Sequence, residues 1–163
     1  IKTYALGSCV AVIIYDKIRK IAGMLHVALP DSKVDLNKSL SSPGHFADTG
    51  LPVLIEEMKK NGAIGRDSWI KIAGGAKIMD PNSLFDIGKR NIIAIKKILW
   101  SRNLGPIAED VGGDYCRTVG ISVETGEVQI SSGKRTWDRR GCRPRVPSRI
   151  RRRCRLPRPG PWR

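Results

Sequence analysis

The chain has 163 residues, 40% of them apolar, which is enough for one domain with a real core, and no apolar run approaches the roughly 20 residues that a membrane-spanning helix needs. The net charge of +15 suggests a nucleic-acid binder until its position is considered: Lys134 to Arg163 hold 13 Lys and Arg against Asp138 alone. The preceding 133 residues carry 17 basic and 14 acidic side chains, so the body is close to neutral and specific nucleic-acid binding is not expected of it.

In chain order, Val10-Ala-Val-Ile-Ile-Tyr15 is rich in β-branched residues and predicts a buried strand. Asp16 to Lys20 forms a charged turn. Ile21 to Leu29 predicts a second strand, stopped by Pro30, so the pair is expected to form an antiparallel hairpin. The polar stretch from Asp31 to Gly44 predicts a surface loop. Phe46 to Asn61 predicts a helix, with Asp48 or Thr49 as its cap, Leu51, Leu54, Ile55 and Met58 at helical spacing, and Gly62 as its stop. A strand is expected over Trp69 to Ala73, a second helix over Arg90 to Asn103, and strands over Ile107 to Asp110, Arg117 to Val123 and Val128 to Ser131. The turn Glu124-Thr-Gly-Glu127 joins the last two. Hairpins at both ends with two helices between them predict an α+β fold.

The stretch from Arg139 onward holds five of the ten prolines, few aliphatic residues and no periodicity, and is expected to be disordered. Residues 137–163 are accordingly separated from a domain at 1–136. Arg-, Pro- and Gly-rich sequence after a well-formed hairpin also resembles translation in a shifted reading frame, which would make this tail non-native. The chain opens on Ile1 and not Met, so it is expected to begin downstream of its natural start.

Four cysteines, Cys9, Cys116, Cys142 and Cys154, show no CxxC spacing, so neither a zinc ribbon nor a disulfide framework is expected, and a reducing compartment suits the chain. Cys9 follows Leu6-Gly7-Ser8 and directly precedes the first long strand. A tight turn there exposes a side chain at a strand end, and the backbone amides of Gly7, Ser8 and Cys9 are candidate oxyanion donors. A small buried thiol in a turn is the plainer reading of Cys9 taken alone. His26 interrupts an otherwise apolar strand and, in the hairpin, faces back toward Cys9; a core histidine bonded to a carbonyl is the alternative. His45 lies in a polar loop and is expected to be solvated. Thr3 is a candidate to orient His26, and is otherwise ordinary strand surface. Gly74 and Gly75 offer unobstructed backbone that suits a pocket wall or a plain turn, without the spacing of a phosphate loop.

These residues together resemble the CheD family of bacterial and archaeal chemotaxis proteins. The resemblance is carried by Thr3, Leu6-Gly-Ser-Cys-Val10, Gly23-Met-Leu-His-Val-Ala-Leu-Pro30, Phe46-Ala-Asp-Thr49, Ile72-Ala-Gly-Gly-Ala76, Asp86-Ile-Gly-Lys-Arg-Asn91, Glu109-Asp-Val-Gly-Gly113, Arg117 and Glu124-Thr-Gly126, in one collinear order over about residues 1 to 136. It implies packed β-sheets with flanking helices, similar to the deamidase domain of cytotoxic necrotizing factor toxins. It implies Cys9 as nucleophile, His26 as its base and Thr3 as the third member. The implied activity is hydrolysis of chemoreceptor glutamines to glutamate in the cytoplasm, with no metal or cofactor. Methyl-accepting chemoreceptors are the implied substrates and CheC, a response-regulator phosphatase, the implied partner. A non-catalytic adaptor that binds CheC is the competing expectation.

Overall fold

The computed structural model describes residues 1–65, 67–77 and 86–132. Among the described residues, seven strands form two sheets. β2 (Val10–Asp16) is flanked by β3 (Ile21–Val27) and by β4 (Ser68–Gly74), both antiparallel to it, and β5 (Ala108–Val111) joins β4 in parallel. The second sheet has β6 (Arg117–Ile121) in the middle, antiparallel to both β1 (Lys2–Leu6) and β7 (Val128–Ser131).

β2 is buried along its whole length because both of its faces are covered. Val10, Val12 and Ile14 pack with Leu51, Ile55, Ile95 and Leu99 of the helices. Ala11, Ile13 and Tyr15 pack with Leu6, Val119 and Ile121 of the small sheet. The molecule is therefore three layers deep: helices, four-stranded sheet, three-stranded sheet. That explains why β2 reads as a continuous apolar run instead of an alternating one. The expected α+β architecture of packed sheets with flanking helices is present.

The β2–β3 turn is held by the buried Asp16 carboxylate, which accepts from the N–H groups of Ile18 at 2.9 Å and Arg19 at 2.8 Å and from the Arg19 guanidinium at 3.2 Å. β3 ends at Val27, two residues short of its expected end, because the Ala28 and Leu29 N–H groups both donate to the His45 carbonyl instead of continuing the ladder.

The expected loop from Asp31 to Gly44 is mostly helical. A 3₁₀ turn at Ser32–Val34 is followed by α1 (Leu36–Ser41) and a second 3₁₀ turn at Pro43–His45. The stretch is polar, but Asp31 accepts from Lys33 N–H and Asp35 from Lys38 N–H, so two side-chain caps nucleate short turns that no apolar stripe announces.

α2 (Ala47–Lys60) has Phe46 as its N-cap and no side-chain cap. Neither expected cap serves. Asp48 accepts from the N–H and hydroxyl of Ser32, and the Thr49 hydroxyl donates to the Pro43 carbonyl, so both tie the preceding turns to the helix. α3 (Ile87–Trp100) begins three residues before its expected start. Gly88 belongs to its first turn, where a Cβ would come within 2.5 Å of the Gly75 carbonyl oxygen.

The two sheets are joined at one end by Arg117, which is 2% exposed. It donates to Asp110 at the end of β5 through Nε (3.2 Å) and Nη2 (2.9 Å), and to the Gly112 carbonyl at 2.8 Å. The Tyr115 ring lies 4.1 Å from the guanidinium. The basic tail and the boundary at residues 136 and 137 lie outside the described residues.

Removing a buried ion's partner costs far more than removing an exposed one. Arg117→Met is therefore expected to lower unfolding stability in urea by about 3 kcal/mol, whereas breaking the exposed Lys60–Glu57 pair with Lys60→Met should leave the urea midpoint nearly unchanged. Equal effects of the two substitutions would contradict this role for Arg117.

Candidate functional site

The chain crosses from the small sheet to the large one at Gly7-Ser8-Cys9. β1 carries an irregularity between Thr3 and Leu6, where Ala5 takes a left-handed φ of 52°. Bulges of this kind bend a strand and re-aim its side chains. Here Leu6 turns into the core between the sheets, and the next three residues lead into β2.

That crossing is held by its carbonyls. The Gly7 carbonyl accepts from Ala76 N–H at 2.8 Å, and the Cys9 carbonyl from Gly75 N–H at 2.8 Å. The Ser8 carbonyl accepts from the Asn91 side-chain amide at 3.1 Å. In a trans peptide the C=O of one residue and the N–H of the next point in opposite directions, and this chain has no cis peptide bond among its described residues. The N–H groups of Ser8 and Cys9 therefore point away from the elements that hold the turn. The Cys9 N–H lies beside its own sulfur and favours the thiolate, although half-burial outweighs it and pushes the Cys9 thiol above its ordinary pKa.

Gly74 and Gly75 lie behind the turn. Gly74 adopts φ 121° and Gly75 φ 70°, both in the region that favours glycine. A Cβ on Gly74 would sit 2.3 Å from the Cys9 carbonyl oxygen, and one on Gly75 would meet Ile92 at 2.6 Å. Their role in this structure is to let the end of β4 press against the Cys9 turn, and the Gly75 N–H is already bonded there.

His26 lies on β3, the edge strand of the large sheet, directly opposite Ala11. Since Cys9 and Ala11 alternate onto the same face, Cys9 is the diagonal neighbour of His26, roughly 7 Å away along the backbone of a regular ladder. The His26 Nδ1 hydrogen-bonds Thr3 Oγ1 at 2.8 Å. Thr3 itself is fixed opposite Val119 in the small sheet. Thr3 and His26 thus touch where the two sheets adjoin, and Cys9 stands at the diagonal position on the neighbouring strand. Cys9 is half-buried and His26 more exposed.

The protein packed against the His26 ring lowers its pKa below the ordinary value, and the nearby His45 adds to that by like-charge repulsion. Both shifts disfavour ions, so thiol and imidazole rest as a neutral pair. His45 is not the solvated side chain expected of a polar loop. It is half-buried, stacked edge-on to Phe46 at 5.0 Å between ring centres, and burial lowers its pKa as well.

Asn91 was not singled out by the sequence reading except as part of a motif. It is fully buried and donates from one nitrogen to the carbonyls of Ser8 (3.1 Å) and Ala28 (2.9 Å). Its signal lay in the helical periodicity: Asn91, Ile95 and Leu99 form one buried stripe of α3, and an amide at the head of an aliphatic stripe needs polar partners inside. No group of three or more His, Cys, Asp or Glu side chains suited to a metal occurs among the described residues. No helix among them is long and apolar enough to cross a membrane.

A family model described as CheD chemotactic sensory transduction matches residues 28–132. A Syntrophotalea carbinolica protein named probable chemoreceptor glutamine deamidase CheD is 54% identical over 140 residues, which is 84% of this chain and 86% of the relative. Proteins of the same description from Syntrophus aciditrophicus and Solibacter usitatus are 45% and 46% identical, and the aligned regions cover 80% and 78% of this chain and 81% and 76% of theirs. With a family model over most of its described length and relatives at 45–54% identity aligned over four-fifths or more of it, the chain belongs to the CheD family.

Proposed function

We propose that the protein is a chemoreceptor glutamine deamidase in which Cys9 is the nucleophile, His26 its acid and base, and Thr3 the group that orients His26. The observation that most supports this is the 2.8 Å bond between Thr3 and His26 at the diagonal position from Cys9. With Nδ1–H donating to the Thr3 hydroxyl oxygen, the lone pair on Nε2 is left for the thiol proton. Bonds between nucleophile and base commonly tighten only when substrate is bound.

The reaction runs in two halves. His26 takes the Cys9 proton as sulfur attacks the δ-carbonyl carbon of the glutamine side chain. The oxyanion that forms faces the outward N–H groups of the Gly7-Ser8-Cys9 turn, with Gly74 and Gly75 holding that turn from behind. His26 then protonates the departing nitrogen, ammonia leaves, and a thioester remains on Cys9. Water deprotonated by His26 attacks the thioester and releases glutamate and the thiol. Every proton is moved by one imidazole, and the chain's own side chains suffice.

The curated relatives are named for chemoreceptor substrates, which supports receptor glutamines as the target class. Family membership supports CheC as a further partner, and the free thiols of Cys9 and Cys116 suit the cytoplasm. The domain at 1–136 carries this activity, and the tail at 137–163 is not part of it.

Ammonia release from a chemoreceptor fragment tests the reading. Cys9→Ala is expected to abolish it, and Thr3→Val to lower kcat by about 10- to 100-fold with KM little changed. Equal rates for wild type and Cys9→Ala would leave only an adaptor.

The charge states make a second prediction. Because the imidazole pKa is depressed, the base form persists further as pH falls, so the acid limb of kcat/KM is expected to have its midpoint below the ordinary histidine value of 6.5. Because the thiol pKa is raised, peptide-resolved iodoacetamide labelling of Cys9 is expected to have its midpoint above the ordinary thiol value of 9.0. A midpoint well below 9.0 would mean a preformed thiolate–imidazolium pair and would refute the neutral resting state.

A further inference from the structure

The turn that carries Cys9 and the strand that carries His26 are joined by more than the sheet. Past the last β2–β3 pair, Val10 with Val27, the ladder ends, and Ser8 and Ala28 lie beyond it. Nothing in the hairpin itself fixes their separation. The Asn91 amide spans this gap: one N–H goes to Ser8, the residue before the nucleophile, and the other to Ala28, two residues past His26. The side chain is 0% exposed, and its Oδ1 is buried without a partner among the described residues. Buried acceptors are seldom left so, and this one is left while both donors are on carbonyls, which marks the two donated bonds as the purpose of the residue.

We infer that Asn91 is a positioning residue for the deamidation reaction: its amide sets the distance between the Cys9 turn and the His26 strand and holds the Ser8–Cys9 peptide so that the Cys9 N–H faces the oxyanion. The inference rests on the deamidase reading. It assigns Asn91 no contact with substrate. The Ser8 carbonyl and the Cys9 N–H belong to one rigid peptide plane, so a donor on the first fixes the direction of the second. A donor on that carbonyl also polarises the peptide and strengthens the N–H that faces away. Two carbonyls rather than one are required, because a single bond would orient the turn without fixing its separation from His26.

Two substitutions keep the shape of the side chain and remove its donors: Asn91→Leu, which is apolar and suits the surrounding aliphatic stripe, and Asn91→Asp. With the full chain and a chemoreceptor fragment, both are expected to lower kcat by about 100-fold, as misplacement by an ångström does, while KM stays within about threefold. Circular dichroism of Asn91→Leu is expected to match wild type, while its urea midpoint falls because two buried carbonyls lose their donor, so kcat is read where both proteins are fully folded. A Thr3→Val background separates positioning from general loosening. Since both residues act through the geometry of the same pair, the double variant should lose much less than the product of the single losses. Wild-type kcat in Asn91→Leu, or losses in kcat that multiply with those of Thr3→Val, would overturn the inference, as would a kcat that falls only in step with the folded fraction. If Cys9→Ala releases ammonia as fast as wild type, the deamidase reading fails and this role fails with it. If Cys9→Ala is inactive while Asn91→Leu is unimpaired, only the positioning role fails.

Discussion

The site depends on how three consecutive carbonyls are held. Gly7, Ser8 and Cys9 each accept a hydrogen bond from the protein behind them, two from the amides of Ala76 and Gly75 and one from Asn91. A turn with free carbonyls has many conformations, and a turn with all of them bonded has few. The direction of the outward N–H groups then follows from peptide planarity and needs no further interaction. Glycine at 74 and 75 is what allows β4 to come close enough, since a Cβ at 74 would lie 2.3 Å from the Cys9 oxygen.

The layering accounts for the rest of the site. β2 is sealed by helices on one face and by the small sheet on the other, so chemistry is confined to its ends. Cys9 stands at the end where the chain changes sheets. His26 reaches the same place from an edge strand that the helices leave partly open, and Thr3 from the opposing sheet. The thiol and the imidazole there are both partly desolvated, which favours the uncharged form of each.

Much of this was legible in the chain itself, though unevenly. Val10 to Tyr15 and its partner strand were legible because burial on both faces leaves an unbroken apolar run. The antiparallel pairing that brings the His26 strand beside Cys9 was legible from the short charged turn, but the register that sets His26 opposite Ala11 was not. The helices at Leu36–Ser41 and before Arg90 were not legible. The first rests on two aspartate caps in a polar segment, and the second starts where Gly88 meets Gly75, a contact between residues distant in sequence. The burial of His45 and the two carbonyl bonds of Asn91 likewise depend on which segments become neighbours. Local patterning reports that an element exists, but it does not report what lies across from it.

The strand order of the small sheet has a consequence for how the molecule comes into being. Thr3 is paired with Val119, and Leu6 with Arg117, so β1 waits for a strand more than 100 residues later in the chain before it has a place to bind. During synthesis the hairpin of β2 and β3 can close early, yet the histidine on it stays unrestrained until some 90 further residues have left the ribosome. A nascent chain thus carries the thiol and the imidazole long before it can orient them.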